Sequence, residues 1–180
     1  RFSKIIENSQ PPYEDFDQDY LYYNTPFYPG FYVGFPAMAI GGARRVLDEF
    51  EKHTAGRVRF SGVNEKDSPT SQRVLAKLKM EMLTAESLMT EYIRMMENDK
   101  GGPYEGAKYK VIRATIIEKC TEIGVRALLT LGGHALLKGH PVELFTRDLI
   151  AIATHITSLY EDGLIGYGRH LFGVQTNIQG

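Results

Sequence analysis

Apolar residues recur every three to four positions in four segments of the chain, which is the spacing of one face of an α-helix. The segments span about residues 30–53, 67–98, 105–137 and 140–172. At a rise of about 1.5 Å per residue, such helices would be about 35–50 Å long. Long helices joined by short loops pack as antiparallel bundles. The pattern therefore predicts an all-α fold, an up-down antiparallel four-helix bundle.

Proline and glycine separate these segments. Asp67–Pro69 is typical of a helix start, and Gly101–Pro103 separates the second segment from the third. Pro141 is suited to the first turn of the fourth segment. No run alternates polar and apolar residues over the length of a β-strand. The segment boundaries therefore agree with the helical periodicity.

The residues at helical spacing are expected to face the core. They are Ala37, Ile40, Gly41, Val46, Leu47 and Phe50 in the first segment, Leu75, Leu78, Met82, Met89 and Met96 in the second, Val111, Ile112, Thr115, Ile116, Ile123, Ala127 and Leu131 in the third, and Leu144, Leu149, Ile152, Ile156, Leu159, Ile165 and Leu171 in the fourth. The polar face of the third segment is predicted to carry Lys108, Lys110, Arg113, Lys119 and Glu122.

Residues 1–29 have a different composition, rich in Pro, Tyr, Asp and Asn. Pro26 and Pro29 each argue against a continuing helix, so an irregular segment is predicted before the bundle domain at residues 30–180. The chain begins at Arg1 without a methionine, and we expect further residues upstream.

The amino-acid composition argues against some classes of binding partner. Among the 180 residues, the net charge of -1 gives no field that would attract nucleic acid or an anionic membrane. No apolar run reaches the roughly 18 residues that cross a bilayer. The single cysteine, Cys120, cannot form an internal disulfide. A cytoplasmic protein that binds neither membrane nor nucleic acid is expected.

Metal and nucleophile chemistry lack their usual motifs. The five histidines are His53, His134, His140, His155 and His170. None follows a carboxylate at the Glu-x-x-His spacing of di-iron bundles, and they are too scattered in sequence for an HxxxH or HExxH site. No metal site is therefore predicted. Cys120 is interpreted as a packing residue, and no Gly-x-Ser-x-Gly motif occurs.

His155 is the candidate acid or base. Successive members of the set Asp148, Ala151, His155, Ser158 and Asp162 are three or four residues apart, so a continuous helix would place all five on one face. Histidine exchanges protons near neutral pH, which suits acid–base catalysis. A hydrogen-bonded histidine at a helix interface is the structural alternative.

Two further features are candidates for ligand binding. Gly132 and Gly133 fall late in the third segment, where glycine costs about 1 kcal/mol relative to alanine, so a close backbone contact is expected. Its partner is either another helix or a ligand. Arg57 and Arg59 follow the first segment, where they either pair with a phosphate or lie in a solvated loop.

In this order, the features resemble the C-terminal domain of the acyl-CoA dehydrogenase superfamily over about residues 30–173. The stretches that carry the resemblance are Gly41–Asp48, Arg57–Gly62, Leu131–Gly133, Pro141–Glu143 and Arg147–Asp148. The resemblance implies an upstream helical domain and a middle β domain, with residues 1–29 as the tail of the latter. It also implies a homotetramer.

In that family, an arginine after the first helix and a Gly-Gly peptide contact the flavin of a neighbouring subunit. By position, the resemblance assigns flavin binding to Arg57, Phe60, Gly132 and Gly133, with Arg59 as an alternative to Arg57. No other cofactor is implied.

Dehydrogenases of the family remove a proton with a glutamate, and Ser158 holds that place here. Glu161 lies three residues late. Relatives with the base on the first helix would place it near Phe31–Val33, which contains no carboxylate. Leu129 replaces a glutamine that helps hold the adenylate end of FAD.

In place of these dehydrogenase features, the last segment of the chain resembles that of the two-component flavin monooxygenases. Their last helix carries Arg-Asp, then a histidine, then Tyr-Gly-Arg-x-Leu-x-Gly. Arg147–Asp148, His155 and Tyr167–Gly173 match this pattern. The resemblance implies an oxygenase component that uses O2 and reduced flavin, FMN or FAD, from a separate flavin reductase.

The expected substrate is a small aromatic or similarly apolar molecule. His155 is the expected catalytic residue, and Phe31, Tyr32 and Phe35 the expected substrate-binding residues, although core packing explains these aromatic residues as well. Two alternatives remain: an acyl-CoA dehydrogenase with Glu161 as the base, and a helical tetramerisation module without activity of its own.

Overall fold

The computed structural model describes residues 27–99 and 103–174. The α-helices in these residues are α1 (Phe27–Tyr32), α2 (Gly34–Gly56), α3 (Pro69–Asn98), α4 (Pro103–Leu131), α5 (Pro141–Ala153) and α6 (Tyr160–Leu171). Short 3-10 turns lie at Glu65–Asp67, Gly133–Leu136 and Ile156–Ser158. Within these ranges no strand forms, apart from one isolated bridge between Val58 and Asn64. The predicted all-α bundle is confirmed.

Helix α4 is at the centre of the bundle. It packs against α2, α3, α5 and α6, whereas α6 packs mainly on α4. Ile116, Ile117, Cys120 and Ile123 of α4 have no exposed surface, because helices cover α4 on several sides. Burial of that kind is the main stabilising contribution to such a helix.

The core follows the predicted faces in α2, α3 and α4. Buried residues at predicted positions include Phe50, Leu78, Met82 and Ile116. Several other predictions are wrong. Ala37 and Gly41 are exposed, as are Ile156, Ile165 and Leu171.

Arg113 was assigned to the polar face of α4, and it is instead 5% exposed. Tyr109 and Ile117 precede and follow it by four residues and are both buried, so helical geometry places Arg113 on their face. Arg113 is predicted to be exposed because it is charged, although its four-residue spacing from Tyr109 and Ile117 indicates the buried face.

The fourth predicted helix is broken into α5 and α6. Thr154 ends α5, its Oγ1 donating to the carbonyl of Ala151 at 3.1 Å. Leu159 is extended at φ -60° and ψ 120° before α6 begins. β-Branched residues at Thr154, Ile156 and Thr157 lower helix propensity here, which is a local signal for the break.

The third predicted helix ends at Leu131, six residues earlier than expected. Gly132 follows at φ 80° and ψ -166°, a conformation essentially restricted to glycine. The Gly132–Gly133 pair therefore terminates α4 instead of lying inside it.

The first helix begins three residues before the predicted start at residue 30. Residues 27–29 belong to α1, where Pro29 is the third residue. Proline is tolerated there because the first N–H groups of a helix have no partner within it. The predicted irregular segment before residue 27 lies outside the described residues.

Candidate functional site

An aromatic cluster forms where α1 meets the start of α2, consisting of Phe31, Tyr32, Phe35 and His155. Tyr32 lies with its ring centroid 6.2 Å from that of Phe35 and 5.1 Å from that of Phe31. The imidazole of His155 lies 5.2 Å from the Phe35 ring, at an interplanar angle of 33°. The fold thus brings together the predicted catalytic residue and the three predicted substrate-binding residues.

A buried polar layer lies beneath the cluster. The guanidinium carbon of Arg113 lies 4.5 Å from the Tyr32 ring centroid, a cation–π contact. Tyr92 is fully buried, and its hydroxyl donates to the carbonyl of Pro29 at 2.9 Å. Burial raises the pKa of Tyr92 to about 12 despite the nearby Arg113 charge, so the phenol stays protonated. Tyr92 thereby ties α3 to α1.

Burial also lowers the pKa of Arg113, an effect that Tyr92 and Tyr32 partly offset. A guanidinium remains charged despite such a shift. Sequence analysis missed this positive charge below the aromatic rings, although the four-residue spacing from Tyr109 could have indicated it.

His155 lies in the break between α5 and α6. Its N–H donates to Ile152 and its carbonyl accepts from the N–H of Ser158. Its imidazole is exposed. Because the helix is interrupted, the prediction that Asp148 and Asp162 share a continuous face with His155 is wrong. The backbone of the break, not a helical stripe, positions the imidazole beside Phe35.

Ser158 is 2% exposed, and its Oγ has no hydrogen-bond partner among the described residues. A buried hydroxyl without a partner is costly, and such groups in native structures call for an explanation. This is the position at which the sequence resemblance expects the dehydrogenase glutamate.

At the opposite end of α2, residues 57–64 form a tight hairpin. The N–H of Arg59 donates to Val63, and the N–H of Gly62 to Arg59. Gly62 has a φ of 80°, as the last residue of a three-residue hairpin loop requires. Phe60 at the tip is fully exposed. An exposed phenyl group on a rigid hairpin is suited to burial against another surface.

The two arginines of the hairpin differ. Arg59 forms a bidentate pair with Glu65, at 2.8 and 2.6 Å, and donates to Ser68 at 2.9 Å. Hydrogen bonds from Arg59 and then Ser71 lower the pKa of Glu65 to about 2. Arg57 is exposed and makes no ion pair within the described parts of the chain. Arg57 is therefore the guanidinium available to an incoming anion.

Three histidines meet beside this hairpin, although the sequence separates them. His53 comes from the end of α2, His134 from the turn after Gly133, and His140 from the residue before α5. Their ligand nitrogens all lie within 4.8 Å of one another. The three histidines are too scattered in sequence for an HxxxH or HExxH motif, but they meet in the fold because three segments of the chain converge here.

Burial lowers the pKa of His53, followed by the positive charge of Arg57 and the other two histidines, while Glu65 acts in the opposite direction. The lowered pKa favours the neutral form of the His53 imidazole. Single-sequence motifs could not have found this cluster, since its members lie on three separate elements.

The predicted site residues thus form two groups. His155 and the aromatic residues lie at the start of α2, and Arg57, Phe60, Gly132 and Gly133 lie toward its end. At about 1.5 Å per residue, Phe35 and Arg57 are about 33 Å apart. One small ligand cannot contact both groups of the same chain.

A groove of about 450 Å³ lies elsewhere, between α3 and α4. Lys119 crosses its wall to pair with Glu81 at 3.2 Å and Glu122 at 2.9 Å. Its lining is mainly charged and none of the predicted site residues belongs to it, so it does not contribute to the candidate site.

A family model described as acyl-CoA dehydrogenase, C-terminal domain, matches residues 33–158. No curated protein matches the sequence significantly. Within the described ranges, no helix combines the length and apolarity that a membrane crossing requires.

Solved structures share the fold at low sequence identity. XiaF from a Streptomyces species, in complex with FADH2 and glycerol, aligns with a TM-score of 0.78 and 14% identity over 84% of this chain and 40% of that chain. The 3-HSA hydroxylase from Rhodococcus sp. RHA1 aligns at 0.75 and 20% identity over 87% and 42%. Butyryl-CoA dehydrogenase from Megasphaera elsdenii aligns at 0.71 and 20% identity over 80% and 36%. The chain spans about two fifths of the length of these structures.

Proposed function

This chain belongs to the acyl-CoA dehydrogenase C-terminal domain family, and we propose that it is the C-terminal bundle of a flavin-dependent monooxygenase. The whole protein would be the oxygenase component of a two-component system, which hydroxylates a small aromatic or related apolar substrate with O2 and reduced flavin from a separate reductase. The observation that carries the proposal is the His155 imidazole, 5.2 Å from Phe35 in the aromatic cluster.

In this proposal, the aromatic cluster binds the substrate. The Phe31 and Phe35 rings offer flat apolar surfaces for a substrate ring. His155, at the edge of the cluster, accepts a hydrogen bond from the substrate hydroxyl and removes its proton, which raises the electron density of the ring. Arg113 below Tyr32 places a positive charge near the anion that this proton transfer leaves.

The other end of α2 fits a flavin. The Arg57 guanidinium is suited to a phosphate. Gly132 has an unobstructed approach, since nothing lies within 4 Å of where a Cβ would be. Phe60 supplies an exposed ring beside Arg57. Bound reduced flavin, FMN or FAD, would supply the activation of O2, while these residues bind and orient it.

A neighbouring copy is needed to complete each site in this proposal. The two groups lie about 33 Å apart, so the Arg57 group would serve a flavin whose substrate lies beside another copy's His155. The homotetramer implied by the sequence resemblance would provide this arrangement. The relatives whose names specify a hydroxylase or FADH2 support the same chemistry.

Acyl-CoA dehydrogenation is the second candidate, since butyryl-CoA dehydrogenase shares the fold. Its base would have to be Glu161, which is exposed in the first turn of α6. The buried position expected for the family's glutamate holds Ser158, which cannot act as a carboxylate base. This difference favours the oxygenase over the dehydrogenase.

The proposal is tested by substituting His155→Asn in the complete protein, with its flavin reductase present. We expect hydroxylation of a panel of phenols to fall about 100- to 10,000-fold, the usual contribution of a general base. His170→Asn is the matched control and should leave turnover unchanged.

Three results would contradict the proposal. Anaerobic bleaching of bound flavin by acyl-CoAs would indicate a dehydrogenase. Unchanged turnover in His155→Asn would remove the catalytic role of His155, and no turnover with any substrate would favour a helical tetramerisation module.

A further inference from the structure

The histidine cluster at the end of α2 consists of His53, His134 and His140. The three ring centroids lie 5.6–6.3 Å apart, and none of the rings stacks face to face. Their ligand nitrogens lie within 4.8 Å of one another. Imidazole nitrogens are good ligands for Zn²⁺, Cu²⁺ and Ni²⁺.

We propose that His53, His134 and His140 bind one divalent transition-metal ion, with Zn²⁺ as the reference ion. The proposed site lies at the opposite end of α2 from the aromatic cluster and does not rest on the proposed monooxygenase function. It would be formed by three segments: the last turn of α2, the turn after α4, and the residue before α5.

The three histidine nitrogens must move closer together to bind one metal ion. With Zn–N distances of about 2.0–2.1 Å and tetrahedral angles, ligand nitrogens lie about 3.3 Å apart. The present nitrogens must therefore approach by at most about 1.5 Å. His134 is exposed and free of close packing on one side, so rotation of its side chain can supply much of this movement.

His140 has a competing role, because its Nδ1 accepts the N–H of Val142 and so caps α5. That hydrogen bond is 3.2 Å long, at the weak end of the normal range. With Nδ1 as the acceptor, a neutral imidazole carries its proton on Nε2. A metal ligand at either nitrogen must therefore release the cap, and binding exchanges a weak hydrogen bond for a coordinate bond.

The surrounding charge determines the fourth ligand. Arg57 directly follows α2 and interacts electrostatically with His53, so its positive charge opposes a bare cation. Three neutral imidazoles leave the full ionic charge and one open position on a tetrahedral metal. An anionic fourth ligand, such as chloride or a phosphate oxygen, would offset part of the combined charge of the metal and Arg57.

The test uses the full chain without a polyhistidine tag, stripped with EDTA and titrated with ZnCl2. We expect one Zn²⁺ per chain with a Kd on the order of 1 µM, measured by calorimetry and elemental analysis. At 100-fold excess over Kd, Tm should rise by about 5–10 °C. Co²⁺ in the same site should give the visible absorption of tetrahedral cobalt.

Two variants separate loss of a ligand from loss of the fold. His134→Asn removes an exposed ligand with little effect on packing. His140→Asn removes the third imidazole but retains a favoured N-cap residue, so apo stability should be kept or raised. Both should lose the zinc-dependent rise in Tm and the cobalt absorption, whereas His170→Asn should keep both.

The proposal is overturned if the unmodified chain shows no saturable Zn²⁺ binding. It is equally overturned if His134→Asn and His140→Asn bind Zn²⁺ as tightly as His170→Asn does, since the metal would then lie elsewhere. Neither outcome depends on catalytic turnover, so the proposed function and the metal site can fail independently.

Discussion

Gly132 and Gly133 differ in backbone conformation although they are adjacent. Gly132 has a φ of 80° and a ψ of -166°, whereas Gly133 has no positive φ and begins a 3-10 turn. A side chain at Gly132 would be strained even though the surrounding space is open. The first glycine is therefore required by backbone conformation, and the second is not.

Gly132→Ala should lower the free energy of unfolding by about 1–3 kcal/mol, the usual cost of a forbidden conformation. Gly133→Ala is the matched control and should be neutral or slightly stabilising, because alanine restricts the unfolded chain. Urea unfolding of both variants tests this. Equal losses in the two variants would mean that the conformation of Gly132 is not the cause.

The Arg59–Glu65 pair predicts a defined pH dependence. The pKa of Glu65 is lowered from its usual value to about 2 by hydrogen bonds from Arg59 and Ser71. A carboxyl group with a lowered folded-state pKa stabilises the protein above its unfolded pKa, and this stabilisation is lost as the pH falls toward 2.

Glu65→Gln should therefore lower Tm at pH 7, and its difference from the unmodified chain should shrink progressively below about pH 4.5. Thermal unfolding measured between pH 3 and 7 tests this. The exposed Glu97, which forms no ion pair among the described residues, provides the control Glu97→Gln. A Glu65→Gln difference independent of pH would exclude the linkage.

For individual residues, the sequence indicated which side chains could bind a ligand but not which side chains surround them in the fold. It identified Arg57 and Arg59 as phosphate candidates but could not separate them, because the pairing of Arg59 with Glu65 depends on the hairpin. It placed Arg113 on a polar face because a charge usually indicates solvent. The buried aromatic layer that accommodates this guanidinium involves α1 and α3, which are distant in sequence.

Among the elements, α4 and α5 make a tight contact at Gly124. A Cβ on Gly124 of α4 would lie 3.0 Å from the Thr146 Oγ1 and 3.2 Å from the Leu149 Cδ1, both on α5. Leu149 also lies against Gly42 of α2, because a Cβ on Gly42 would lie 3.4 Å from the Leu149 Cδ2. Leu149 thus packs between two glycines, and these helices approach each other closely because both positions lack a side chain.

Gly124→Ala should destabilise the bundle by about 1–3 kcal/mol through overpacking against α5. Gly106→Ala, in the same helix but with nothing within 4 Å, should instead be stabilising by about 0.5–1 kcal/mol. Chemical denaturation of both variants measures the difference. Thr146→Ala should reduce the cost of Gly124→Ala in a double-mutant cycle, and strict additivity would contradict the contact.

Helical periodicity predicted which elements exist better than where they end. Helix α3 was predicted almost to the residue, because Pro69 starts it and Gly101–Pro103 follows it. The break between α5 and α6 was missed, since apolar residues continue at helical spacing through it. Gly41 is predicted to face the core and is instead exposed, because the sequence does not show which side of α2 each neighbouring helix covers.

In the whole molecule, α6 presents apolar residues that α4 does not cover. Ile165 and Leu171 of α6 are 57% and 62% exposed, and Phe172, which follows the helix, is 86% exposed. The glycine of the tail motif, Gly173, has a φ of 67° and ends α6 in a Schellman motif. That glycine in the motif therefore has a structural role.

The sequence predicted the family correctly because several weak motifs occur in the right order, and such order survives when identity is low. It could not predict the relation between the two ends of α2. That relation follows from the length of a straight helix, which places His155 and Arg57 at opposite ends of one copy.

If each site combines residues of two copies because α2 holds them apart in one copy, two variants should complement each other. Two inactive variants, His155→Asn and Arg57→Ala, should rescue each other when refolded together. A mixed pair contains one site with both substitutions and one site with neither, so random pairing should restore about a quarter of the activity. Activity assays after co-refolding measure this recovery, and its absence would contradict a site shared between two copies.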